Sequence, residues 1–254
     1  MRLATWNVNS VRARTDRIAD WLQRTGTDVL AMQETKCKDE QFPYARFEEL
    51  GYQVAHVGSS QWNGGVAIVS RVGLDDVQIG FEDQPGFTKD PDAAPAQEAR
   101  AIGATCGGVR VWSLYVPNAR TGRSALHLQT GVAREAACRR AGWLDADSQT
   151  PIALVGDWNI APTDEDVWDP AFFEGKTHTS GPERDAFAAF VDAGFTDVVR
   201  PHAPGPRRLH VLGLHPVAVP PRSRECGSTS SSARRLSRRG SAARRSTATN
   251  ARAR

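Results

Sequence analysis

Residues 152–160 read Ile-Ala-Leu-Val-Gly-Asp-Trp-Asn-Ile, and the reading of this stretch decides the fold. Its opening apolar run makes a buried strand, and Gly156 is expected to let the chain turn tightly after it. Asp157 and Asn159 then stand at the strand's C-terminal end. Alternation along an extended chain points both side chains the same way, placing a carboxylate and an amide together at a sheet edge. Asp and Asn also end strands simply because turns favour them. The surrounding chain has to separate the two readings.

Working outward, the same arrangement recurs. Leu3, Ala4 and Trp6 open a strand that ends on Asn7, and Asn7-Val8-Asn9-Ser10 reads as a turn and helix cap. Val11, Ile18, Trp21 and Leu22 follow at helical spacing, and the helix is expected to stop near Gly26. Asp28 to Met32 is the next buried strand, with Gln33-Glu34-Thr35-Lys36 at its end. Tyr52 to Val57 and Gly65 to Ser70 read as strands joined across Trp62-Asn63-Gly64-Gly65. Residues 81–97 form a Pro/Asp/Gly-rich loop; Ala99 to Cys106 and Val109 to Val116 then pair across Gly107-Gly108 and finish in Tyr115-Val116-Pro117-Asn118. One helix is expected before Pro151 and another from Pro182 through Phe187, Phe190 and Val191, ended by Gly194. Antiparallel hairpins with flanking helices predict a four-layer α/β sandwich rather than a doubly wound parallel sheet. There is no internal repeat.

At 254 residues and 40% hydrophobic content, the chain can bury one sizeable core. No stretch approaches the ~20 apolar residues of a membrane span, and the N-terminus reads as a strand rather than a signal peptide, so the expectation is a cytoplasmic protein, with a monomer as the default. Cys37, Cys106, Cys138 and Cys226 are far apart, without zinc-ligand spacing, and read as reduced thiols. The net charge of +3 hides an asymmetry: from Arg207 onward there are twelve arginines and one glutamate, leaving residues 1–206 with 20 basic against 28 acidic groups. The expected boundaries are therefore a folded domain over 1–206, incomplete at its C-terminal side with strands missing or disordered, and an Arg/Ser-rich, disordered tail over 207–254.

Asn7, Glu34, Tyr115, Asp157 and Asn159 all fall at predicted strand ends, which stacked sheets can bring to a common rim. A hard divalent cation, Mg²⁺ or Mn²⁺, takes oxygen ligands of this kind and binds beside substrate phosphate. Glu34, oriented by Asn7, suits the metal. Asp157 suits proton acceptance from an attacking water, Asn159 the positioning of that water or the phosphate, and Tyr115 a hydrogen bond to a phosphate oxygen. Singly each has a plain structural role, as helix cap, solvent-facing carboxylate or half-buried strand aromatic; jointly they point to chemistry.

At these residues the chain resembles the exonuclease III family of apurinic/apyrimidinic endonucleases, within the endonuclease/exonuclease/phosphatase superfamily. The resemblance is carried, in order, by Leu-Ala-Thr-Trp-Asn-Val-Asn-Ser (3–10), Gln-Glu-Thr-Lys (33–36), Asn-Gly-Gly-Val-Ala-Ile (63–68), Tyr-Val-Pro-Asn (115–118) and Gly-Asp-Trp-Asn-Ile-Ala-Pro (156–162). It implies a deoxyribonuclease I-like sandwich and a Mg²⁺-dependent phosphodiesterase acting on duplex DNA at abasic sites and 3′ ends. It also implies Asn7 and Glu34 at the metal, Tyr115 at the phosphate, and Asp157 with Asn159 at the water. Lys36 is a weaker transfer, since a lysine there is more often solvated than a phosphate contact.

Two family motifs have no counterpart: an Ile-Asp-Phe-Ile-Leu type strand and a Ser-Asp-His whose histidine contacts the scissile phosphate. None of the six histidines follows an Asp; His56 reads as a strand residue, His178 and His202 as loop residues. The tail reads either as an arginine-rich nucleic-acid arm or as an out-of-frame translation. In favour of the second, codons permitted by Arg208 to Val219, shifted one base, encode Ala-Tyr-Thr-Tyr-Trp-Asp-Tyr-Thr-Gln-Leu-Arg-Phe, and those of Glu225 to Ala251, shifted by two, restore an Ile-Asp-Phe-Ile-Leu strand. Arg123 to Ala137, shifted by one, likewise yields an amphipathic helix. Without those motifs the chain is expected to show little or no nuclease activity. The sequence leaves two rivals: a superfamily phosphatase on lipid or inositol phosphates, and a non-catalytic DNA-binding protein using its basic tail.

Overall fold

The computed structural model describes residues 1–58, 64–81, 84–86, 94, 96–118, 131, 151–202 and 217–218. Strand β1 (Leu3–Asn7) leads to helix α1 (Thr15–Thr25), β2 (Val29–Gln33), the short helix α2 (Tyr44–Glu48), β3 (Gln53–Val57), β4 (Val66–Ser70) and β5 (Asp75–Ile79). There follow β6 (Ala101–Cys106), β7 (Val109–Tyr115), β8 (Ile152–Asp157), the single-turn helix α3 (Pro170–Phe173), α4 (Gly181–Asp192), β9 (Thr196–Asp197) and β10 (Val217–Ala218). They form two sheets, a four-stranded one in the order β1-β2-β4-β3 and a six-stranded one in the order β5-β6-β7-β8-β10-β9. The sequence reading placed Val217 and Ala218 outside the sheet; here they pair antiparallel with β8 on one side and β9 on the other. The helix expected before Pro151 and the turn at Trp62-Asn63 fall outside the described residues.

Strand parity builds the layers. Along β2, Val29 and Ala31 join Ile68 of β4, Ile102 of β6, Val111 of β7 and Val155 of β8 in a core between the sheets, while Leu30 and Met32 turn outward onto Ile18 and Leu22 of α1 and Phe47 of α2. On the far side, Trp112 and Leu114 of β7 and Ile152 and Leu154 of β8 pack with Trp158 beneath Phe187 and Phe190 of α4. The result is helix, sheet, sheet, helix: the four-layer sandwich expected. Fully burying each of these Leu, Ile or Phe side chains contributes about 1.5–3 kcal/mol. One polar link crosses the central core, where Gln33 Nε2 donates to Ser113 Oγ (3.0 Å) and Ser113 Oγ donates to the Met32 carbonyl (3.1 Å).

Two local expectations are corrected, and one strand went unmarked. α1 begins at Thr15, so Asn7 to Ser10 is not its cap; the chain turns through Asn9 (φ 41°) and Ser10 (φ 86°) first. Gly26 does end the helix, in the left-handed conformation. Gly156 lies within β8 rather than at a turn. Its φ is +154°, and a Cβ there would sit 1.9 Å from the Leu114 carbonyl oxygen, so glycine is required for the close approach of β8 to β7. Finally, β5 is an edge strand whose five residues are all exposed, so no apolar alternation marked it in the sequence.

Candidate active site

The same parity that fills the core aims the site. Asn7, Tyr115 and Asp157 are the last residues of β1, β7 and β8, on the faces turned toward the opposite sheet, and Glu34 follows directly after β2. The two carboxylates therefore come from different sheets. Asn7 joins them: its Nδ2 donates to Glu34 Oε1 and to Asp157 Oδ2, both at 2.8 Å. Its Oδ1 accepts from the Asn9 backbone N–H at 3.1 Å, which fixes the amide's orientation. In this arrangement Asn7 orients the carboxylates, with its amide nitrogen rather than its oxygen facing them.

Backbone strain concentrates here. Of the seven non-glycine residues with positive φ among the described residues, Asn9, Ser10, Glu34, Lys36, Asn159 and His178 all lie in the loops that make or support this rim. Such conformations cost on the order of 1–3 kcal/mol each and persist where the surroundings hold them. Glu34 (φ 53°) is held by Ser10 N–H on its carbonyl (2.7 Å), and Asn159 (φ 50°) by its N–H on Asp157 Oδ1 (3.2 Å) and its Nδ2 on the Val116 carbonyl (2.8 Å).

Electrostatics separates the two carboxylates. Burial works against ionisation of Glu34, but hydrogen bonds from Lys36 and Asn7 outweigh it and hold its carboxyl below the usual range. Lys36 Nζ lies 2.8 Å from Glu34 Oε2, so it is engaged in the site rather than simply solvated. Asp157 is 1% exposed, and burial, opposed by the Asn7 and Asn159 donors, pushes it up to about 6. Burial and the neighbouring Glu34 charge raise the Tyr115 phenol, which stays protonated and hydrogen-bonds to Glu34.

The structure thus brings together all five residues singled out in the sequence. It adds three that were not assigned a role. Arg100, 6% exposed, lies 4.5 Å over the Tyr115 ring and is fixed by Nε and Nη2 on Glu98 Oε2 (2.9 and 2.6 Å). Asn118 and His178 meet side chain to side chain at 3.2 Å beneath the loop carrying Asn159. For Arg100, a cation at the head of an apolar strand was the available signal; His178 sits in a loop with no periodicity to mark it. Cys37 and Cys106 are buried free thiols. Among the described residues no three His, Cys, Asp or Glu side chains form a metal cluster, and no helix is long and apolar enough to cross a membrane. The two rim carboxylates, Glu34 and Asp157, offer oxygen donors, which suits a hard divalent cation with retained waters, while the Asn7 amide presents its nitrogen to them.

Residues 4–231 match the model of the endonuclease/exonuclease/phosphatase family. The chain belongs to this family. Relatives within it include an exodeoxyribonuclease of Bacillus subtilis, 30% identical over 221 residues, covering 79% of this chain and 75% of the relative. Exodeoxyribonuclease III of Haemophilus influenzae is 30% identical over 170 residues, which are 66% of this chain and 60% of that protein, so the chain spans less than two thirds of its length. Among solved structures, the 3′ phosphatase NExo from Neisseria bound to product DNA hairpin superposes with a TM-score of 0.72 at 30% identity, covering 87% of each chain. An AP endonuclease from Archaeoglobus fulgidus gives 0.70 at 28% identity, covering 86% of this chain and 87% of that one. Exonuclease III-type family members depend on divalent metal, in keeping with the oxygen donors at the rim.

Proposed function

We propose that this chain is a metal-dependent DNA-repair phosphodiesterase of the exonuclease III type, acting on duplex DNA at abasic sites and 3′ ends, with Mg²⁺ or Mn²⁺ as its metal. The observation that carries the reading is the Asn7 amide held 2.8 Å from both Glu34 and Asp157, which sets two carboxylates from different sheets at one rim. The named relatives, a nuclease, a 3′ phosphatase seen with DNA and an AP endonuclease, support DNA as substrate.

Glu34, with Asn7 beside it, would hold the cation, which when bound supplies Lewis-acid polarisation of a phosphoryl oxygen. The chain's own residues do the remainder. Asp157, fixed by Asn7 and by the Asn159 N–H, takes the proton of the attacking water. Asn159 positions that water or the phosphate. Tyr115, kept neutral by burial, turns its O–H from Glu34 to a phosphate oxygen, where charge grows in the transition state. Arg100, stacked over its ring, sets the angle of that phenol.

The test is single-turnover cleavage of an end-labelled duplex with one abasic site, using excess purified full-length protein. Mg²⁺-dependent cleavage, abolished by EDTA and by Asp157→Asn, is expected. No cleavage above the Asp157→Asn background, or cleavage indifferent to EDTA, overturns the reading.

A further inference from the structure

His178 is 7% exposed and sits at φ 81°, a left-handed position that only specific support holds for a residue of its size. Its polar groups are engaged on several sides. The backbone N–H donates to Glu183 Oε1 (2.8 Å), and the carbonyl accepts from the Ala161 N–H (2.7 Å). Glu183, completely buried, also takes the Ser180 N–H (3.0 Å) and hydroxyl (2.7 Å), so the same carboxylate caps α4 and anchors His178.

The ring reaches the other way. Nδ1 lies 2.7 Å from the Asn159 carbonyl oxygen. A carbonyl can only accept, so Nδ1 carries the hydrogen, and in the neutral ring Nε2 is then an acceptor. That acceptor meets Asn118 Nδ2 at 3.2 Å. One side chain therefore fixes the loop after β8 through the carbonyl of strained Asn159, and the loop after β7 through the amide of Asn118, three residues beyond Tyr115. With both ring nitrogens used in this way, His178 holds rather than transfers protons.

We propose that His178 is a positioning residue of the hydrolytic site, clamping Asn159 and Asn118 in register so that the groups handling water and phosphate are in place before substrate arrives. This rests on the hydrolase reading above. A phenylalanine of similar bulk would fill the space without making either bond, so the role is separable from packing. Displacing reacting groups by about 1 Å costs on the order of 10²-fold in rate.

The test uses the full chain and three variants, His178→Phe, His178→Asn and His178→Gln, in Mg²⁺ single-turnover cleavage of the abasic duplex, with duplex affinity measured in parallel. His178→Phe is expected to lower the cleavage rate by about 10- to 100-fold with affinity within about threefold. His178→Asn, whose amide can replace Nδ1–H on Asn159, and His178→Gln, whose carbonyl can replace Nε2 at Asn118, are each expected to recover part of the rate. Long-range ¹H–¹⁵N spectra should show the Nδ1–H tautomer of His178. Wild type that cleaves, with His178→Phe equally fast, overturns the proposal alone; so does an Nε2–H tautomer. Should His178→Phe fail to fold, wild-type rates in both His178→Asn and His178→Gln overturn it. Wild type without metal-dependent cleavage overturns the hydrolase reading and the proposal with it, and is told apart by that missing wild-type activity.

Discussion

Asn7 and Asp157 stand 150 residues apart in the chain and share a 2.8 Å hydrogen bond between the ends of two strands in different sheets. Glu34 takes the same amide's second hydrogen. Asn7→Ala leaves two carboxylates facing one another with no donor between them. We expect cleavage to fall by about 10²-fold, with the fold retained. Asn7→Asp, which adds a third negative charge, should fall further. Single-turnover rates with circular dichroism as the fold control check both.

A cation bound at Glu34, as proposed, would stabilise the folded chain by mass action. At ten times its Kd it adds about 1.4 kcal/mol, a rise in Tm of about 2–4 °C for a domain of this size. Mg²⁺ titrated into metal-stripped protein should give this rise in wild type. Glu34→Gln should lose most of it, and EDTA should reverse it. Equal shifts in the two proteins would remove Glu34 from the metal.

His56 makes stability depend on pH. Burial lowers its pKa from 6.5 to about 4, against the opposing charge of Asp39, whose Oδ1 lies 2.8 Å from Nδ1. Its Nε2 sits 2.8 Å from Thr35 Oγ1, next to Glu34 in sequence. Between those pH values the unfolded chain binds a proton that the folded chain refuses. Stability is thus fully present above about 6.5 and declines as pH falls toward 4, by on the order of 2–3 kcal/mol. Chemical denaturation at a series of pH values should show this slope, and His56→Phe should flatten it.

Gly156→Ala tests the close approach of β8 to β7. A methyl 1.9 Å from a backbone oxygen forces the strands apart, at a cost of about 1–3 kcal/mol or more, and moves the adjacent Asp157. Both Tm and cleavage should drop. Gly181, with nothing within 4 Å of a built Cβ, is the control: Gly181→Ala at the start of α4 should be neutral or mildly stabilising.

Much of this was legible in the sequence because the central strands are continuous apolar runs. Val29 to Gln33 and Ile152 to Asp157 are buried throughout, and a polar residue at the end of such a run stands out at once. Parity then tells which of those polar residues face inward. What stayed hidden depended on contacts between distant segments. Asp75 to Ile79 is a strand only because its backbone pairs with β6, while its side chains remain in solvent. Arg100 and His178 matter through a tyrosine ring and an asparagine carbonyl that no local pattern brings near them. The direction of the Asn7 amide, nitrogen rather than oxygen toward the carboxylates, is likewise decided by the Asn9 N–H and not by residue type.

The Gln33–Ser113 bridge makes the gap between the sheets a calibrated spacer. Because Asn7 and Glu34 ride on one slab and Tyr115 and Asp157 on the other, any slippage of the slabs pulls the four apart while leaving each slab's own ladder whole. Heating should therefore silence this molecule before it melts: catalysis reports shear between halves that spectroscopy would still count as native.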